Sequence, residues 1–122
     1  MNMVMAVYKG RLLGYKTFFY ESLSTPIGVK LHKGEPVIIY GKNIRRFPID
    51  MIEVLLYHEL GHIACNHLVE KGDCIKQEHE ADFYAAQRLG FTRVLEALRY
   101  THSISGNKEI LQKRIDYLQK AT

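Results

Sequence analysis

The sequence predicts a small α+β domain, with an N-terminal hairpin or small sheet followed by four helices. Three observations carry this. Strand-like residues flank Lys33-Gly34 in "IGVKLHKGEPVIIYG". Apolar residues recur at helical spacing from Asp50 onward. Asp and Gly residues then punctuate the rest of the chain at the places where helices begin and stop. The 122 residues fit one domain, residues 1–122, with a small core.

In "VYKGRLLGYKTFFY" the apolar positions fit either a helix or two short strands about Gly10, and a helix over the second half is expected. "STPIG" is a turn. Val29 and Leu31 alternate with Lys30 and His32, Lys33-Gly34 turns the chain, and Val37 to Tyr40 returns. Pro36 lacks an N–H, which points to an edge position for that second strand. Asp50 with Glu53 reads as a capping box for a helix from Asp50 to about Glu70, with Gly72 at its exit. Asp73 caps the next helix, residues 74 to 89, which Gly90 ends. "TRVLEALRYT" is a third helix, "SISGN" breaks it, and "KEILQKRIDYLQK" is a fourth.

Composition narrows the function classes. An apolar share of 47% excludes a disordered chain. No apolar run reaches the roughly 18 residues of a membrane span. The start has no basic segment ahead of its short apolar stretch, so no secretory signal is expected. The two cysteines, Cys65 and Cys74, need no disulfide, and the chain reads as cytoplasmic. A net charge of +4, scattered along the chain, suits acidic partners; nucleic acid is not expected. A protein or peptide partner is expected, and an edge strand leaves self-association open.

"LLYHELGHIACNHL" carries the chemistry. His58 and His62 are four apart on a helix, so they share a face and can reach one tetrahedral zinc ion. Glu59 sits beside His58, where a general base for a metal-activated water belongs. Gly61 inside a helix implies a second helix packed close. Catalytic zinc usually takes three protein ligands. "KQEHEADFYAAQ" on the next helix offers Glu78, with Glu80 as its competitor, and Asp82 one turn on to hold the free N–H of His58. His67 is turned about 140° from His62 if the helix continues. Cys65 reads as a small buried hydrophobe, Cys74 as packing, and His79 and His32 as exposed. Arg114 reads as a structural ion pair or an exposed charge. Lys42, Arg45 and Arg46 form a short basic cluster.

"YHELGHIACNHL" followed by "EHEADFYAAQRLG" resembles the gluzincin zinc metallopeptidases, over about residues 37 to 118 and most strongly over 57 to 90. Two branches are similar: the ImmA/IrrE-type peptidases, bacterial and phage-borne enzymes that cleave repressors, and the M48 peptidases. "RYTHSISGNKEILQKRIDYL" resembles the final M48 segment, with Ser103 where that family has Pro. The size is similar to that of the minimal gluzincins, small scaffolds described as latent. The resemblance implies a zincin-like fold, a Zn2+ cofactor and Glu78 as third ligand. It also implies Asp82 as the support of His58, and His102 as a helper of the transition state; Tyr100 and Tyr84 are further candidates for that last role. The implied activity is a zinc-dependent endopeptidase with Glu59 as general base and a narrow protein target such as a repressor. The alternative is a latent zinc-binding scaffold that acts through a protein partner.

Overall fold

The computed structural model describes residues 14–70 and 72–122. Three strands come first: β1 (Thr17–Phe19), β2 (Ile27–His32) and β3 (Glu35–Tyr40). A short 3-10 helix, Lys42–Arg46, leads into α1 (Ile49–Ala64), α2 (Cys74–Leu89), α3 (Phe91–Ile104) and α4 (Glu109–Ala121). This is the expected α+β order, with a sheet followed by four helices.

β2 and β3 form the antiparallel hairpin, from Ile27↔Tyr40 to His32↔Glu35. Its two-residue turn has Lys33 at φ 52° and Gly34 at φ 80°, the paired positive φ that a tight twisted hairpin needs. β1 pairs with β3 in parallel, so the sheet order is β1-β3-β2. That corrects two expectations. The segment around Thr17–Phe19 is strand rather than helix: Gly14 holds φ 88°, and Thr17, Phe18 and Phe19 prefer a pleated surface. The part of that expectation before residue 14 lies outside the described residues. Val37 to Tyr40 is the middle of the sheet rather than its edge, with Val37, Ile38 and Ile39 buried. Pro36 is tolerated because it pairs only with Leu31, while β1 joins β3 from Ile38 onward.

α1 lies between the sheet and the other helices. Leu56 and Leu60 pack on Ile27 and Ile38, while Val54 joins Ala85, Val94, Leu98, Ile115 and Leu118 among the helices. Ile52 closes a third cluster with Ile44 and Phe47 beneath the 3-10 helix. A helix buried on two sides must be apolar on both, which is why its sequence reads apolar almost all round.

The helix ends differ from expectation at α1 and agree at α2. Pro48 precedes α1 and no side chain caps it; Asp50 lies inside the first turn, and Glu53 accepts from Arg93 at 2.9 Å. α1 stops at Ala64 because Asn66 takes a left-handed conformation, φ 62°, and the His67 N–H turns back to the His62 carbonyl at 2.9 Å. Asp73 caps α2 through the N–H groups of Ile75 and Lys76, and Gly90 follows its last residue. Both cysteines are exposed rather than packed.

Gly61 lets α1 and α2 touch. A Cβ there would lie 2.9 Å from both the Cα and the carbonyl oxygen of Ala81. Backbone cannot yield as a side chain can. Gly61→Ala is therefore expected to destabilise the fold by about 1–3 kcal/mol, despite a better helix propensity. Urea unfolding of the two proteins checks this; equal or higher stability of the variant would contradict the close packing.

Candidate metal centre

α1 presents His58 and His62 to α2, which answers with Glu78 and Asp82, while Glu59 lines the neighbouring cleft. Donor atoms of His58, His62 and Glu78 lie within 4.8 Å of one another. The Nε2 atoms of His58 and His62 are 3.1 Å apart. Glu78 places Oε1 at 2.8 Å from His62 Nε2 and Oε2 at 3.6 Å from His58 Nε2. Ligands around tetrahedral zinc, at about 2.0 to 2.1 Å from the ion, stand roughly 3.3 Å from one another. The donor set fits such an ion in chemistry and in spacing.

Each histidine is also held from behind. Asp82, 1% exposed, accepts from His58 Nδ1 at 2.7 Å. Arg114 on α4 then grips Asp82 with two bonds of 2.8 Å, Nε to Oδ2 and Nη2 to Oδ1. Its Nη1 reaches Glu78 Oε2 at 3.3 Å. His62 Nδ1 stands 2.9 Å from His67 Nδ1, and His67 Nε2 stands 3.0 Å from Glu80 Oε1. Glu80 is thus engaged at the rim, and Glu78 supplies the inward carboxylate.

The charges respond to one another. Burial and the Arg114 cation act to lower the His58 pKa, but the Asp82 carboxylate, with help from Glu78, holds it up at about 9. Burial would raise Asp82; the charge on His58 and the Arg114 hydrogen bonds bring it down to about 2. Burial would likewise raise Glu78, yet hydrogen bonds from His58 and His62 hold it well below the usual carboxylate range. Burial pushes Glu59 up, and the charges of His58 and His62 oppose it. Burial opposes the Arg114 cation, and Asp82 keeps it charged.

A cleft of about 600 Å³ opens over this cluster. Ile27, Gly28 and Val29 of β2 form one wall, and His58, Glu59 and Glu78 form its floor. Arg46 also lines the cleft. The wall passes through Thr101, Ile104 and Ser105 but does not include His102, whose carbonyl accepts from Lys108 Nζ. The Tyr100 hydroxyl donates to the Arg46 carbonyl, and Tyr84 packs beside Gly61 with Arg88 over its ring. His79, expected to be exposed, is half-buried and stacks on Tyr117 at 3.9 Å.

Two residues of the centre were not assigned to it from sequence. The sequence reads Arg114 as a structural ion pair or an exposed charge and names no partner for it; its place one helical turn beyond Leu111 and beside Ile115, on the buried side of α4, is the available signal. His67 was placed on a continued helix, and only the left-handed Asn66 brings it back to His62. Comparison of the chain with family models, curated proteins and solved structures finds no match.

Arg114→Met is expected to cost about 2–3 kcal/mol by removing two charge-assisted hydrogen bonds from buried Asp82, which then keeps only its bond to His58. Chemical denaturation measures it, and a loss below about 1 kcal/mol would contradict the clamp. The metal-free protein should also be most stable between the ordinary pKa values of Glu78, 4.5, and His58, 6.5, since Glu78, like Asp82, is lowered in the fold. His58 is raised, so its contribution of about 3 kcal/mol is complete below 6.5 and lost as pH rises through about 9. Asp82 is lowered, so its contribution of about 2 kcal/mol is complete above 3.8 and lost as pH falls through about 2. The two figures describe one ion pair from either end and are not added. Unfolding midpoints in chelator across pH 3 to 9 test the window, and a flat profile from pH 6 to 9 would contradict it.

Proposed function

We propose that this chain is a zinc-binding scaffold of the gluzincin kind that holds one ion on His58, His62 and Glu78 and acts through a protein partner. The observation that carries it is the convergence of three donors within 4.8 Å. Both histidines already have their outer nitrogens hydrogen-bonded, as metal-binding imidazoles usually do. Three donors, rather than the four of a closed structural site, leave a position open to the cleft. The groups that sequence offered for stabilising a transition state are what favour a scaffold. His102 stands outside the cleft wall, the Tyr100 hydroxyl is engaged with Arg46, and Tyr84 is packed between helices. Cytoplasmic residence rests on the sequence alone.

A second reading, a zinc-dependent endopeptidase with a narrow protein target such as a repressor, is favoured by Glu59. When bound, zinc supplies Lewis acidity to a water and to a peptide carbonyl. Glu59 then takes a proton from the attacking water and passes it to the leaving amine, with its pKa raised by burial. Asp82 and Arg114 keep His58 oriented through the cycle. β2 is the strand beside the cleft and lies at the sheet edge, so an extended peptide would add along Ile27 to Val29. Self-association through β2 would occupy the same edge. Arg46 on the cleft wall suits an acidic segment.

Metal content separates both readings from a metal-free fold. Wild type, purified without a metal-affinity tag, is expected to carry about one zinc per chain, lost in His58→Ala and Glu78→Ala. A wild type without zinc would overturn both readings. Glu59→Gln should keep the zinc. If the chain is a peptidase, that variant loses about 10²–10⁴-fold in cleavage of a repressor or peptide library. If the chain is a scaffold, wild type and Glu59→Gln are equally silent.

A further inference from the structure

The structure holds its two histidine ligands by unequal means. His58 meets a carboxylate directly, at 2.7 Å. Among the described residues, no carboxylate meets His62 at its outer nitrogen. That nitrogen meets His67, which in turn meets Glu80, at 2.9 and 3.0 Å. His67 lies five residues beyond His62 and reaches it only because the helix has ended. Its side chain is 6% exposed, while Glu80 is 46% exposed. The chain therefore runs from the floor of the site to solvent.

We infer that His67 is a positioning residue for the metal, and that His62, His67 and Glu80 form a relay that fixes the His62 ring for coordination. This rests on the reading of His58, His62 and Glu78 as zinc ligands. Proton assignment is then forced. A neutral His62 that offers Nε2 to a metal carries its proton on Nδ1. That N–H donates to His67 Nδ1, which must be bare. His67 then carries its proton on Nε2 and donates it to the Glu80 carboxylate. Every donor meets an acceptor, and the ring of His62 is set in one plane and one tautomer. The inserted imidazole does for His62 what Asp82 does for His58. Glu80 on α2 also ties the turn after α1 to the helix that carries Glu78, so both ends of the ligand set are fixed to the same element.

The test uses the full chain and zinc itself. Zinc affinity is measured by competition with a chromophoric chelator for wild type, His67→Phe, His67→Asn and Glu80→Gln. Loss of such an outer partner typically weakens metal binding 10- to 100-fold. His67→Phe should fall by about that factor. His67→Asn, whose amide oxygen can accept from His62 Nδ1, should recover most of it, which a mere filling of space would not do. Glu80→Gln, at the exposed end, should lose only about two- to fivefold, below that range. Long-range ¹H–¹⁵N spectra of zinc-loaded wild type supply a readout that needs no variant. They should show His62 protonated on Nδ1 and His67 protonated on Nε2. A His67 ring protonated on Nδ1, or a folded His67→Phe that binds zinc within twofold of wild type, would overturn the relay. A wild type that takes up no zinc would instead overturn the metal reading beneath it, while wild-type binding lost in His58→Ala keeps that reading and isolates the relay.

Discussion

The close approach of α1 and α2 at Gly61 and Ala81 is the constraint on which the rest depends. Three ligand atoms must lie a few ångströms apart, and two of them belong to one helix while the third belongs to the other. A side chain at residue 61 would meet the backbone of Ala81 and part the helices. With glycine there, Glu78 can reach His62 at 2.8 Å. The same contact sets Asp82 behind His58 and Glu80 beside His67. One missing methyl group thus decides whether six polar side chains meet.

Bringing those groups together creates a second problem, which α4 resolves. A carboxylate as buried as Asp82 is costly unless it is fully paired. His58 offers it one hydrogen bond, and Arg114 offers two more in a planar fork. Arg114 also reaches Glu78, so a residue remote in sequence steadies both carboxylates of the facing helix. The packing of Leu111, Ile115 and Leu118 into the helical core holds α4 where this is possible. Core packing and site electrostatics are therefore one structure: a shift of α4 would unpair Asp82, and an unpaired Asp82 would drive α4 away.

Much of this was legible in the sequence, for identifiable reasons. α2 could be bounded from Cys74 to Leu89 because its stop and start signals are local: an Asp73 side chain that caps and a Gly90 that follows. The hairpin was legible because Lys33-Gly34 turns in two residues. The pairing of His58, His62, Glu78 and Asp82 followed from helical spacing on two helices joined by a short loop. What was not legible depended on tertiary contact. β1 is three residues long and owes its form to pairing with β3, which no local pattern announces. That pairing also moved β3 from the edge to the middle. Asn66 ended α1 early by taking a left-handed conformation that most residues avoid, and His67 moved with it. Arg114 showed its partner only once α4 was docked.

Charge balance gives these pieces a common logic. In the metal-free protein His58 keeps its proton to about pH 9, so at neutral pH two cations, His58 and Arg114, face two anions, Glu78 and Asp82. Burial raises the Glu59 pKa, and the charges of His58 and His62 oppose that rise. Coordination requires the bare nitrogen of His58, so a metal ion and that proton compete for the same atom. Exchange of one proton for a divalent cation would leave one positive charge over, and Glu59 lines the cleft beside the ligand set. The same low-dielectric surroundings that raise the Glu59 pKa without a metal strengthen its attraction to a cation once one is present. Burial at this position therefore does not silence the carboxylate; it strengthens the coupling of its charge to what the other three side chains hold.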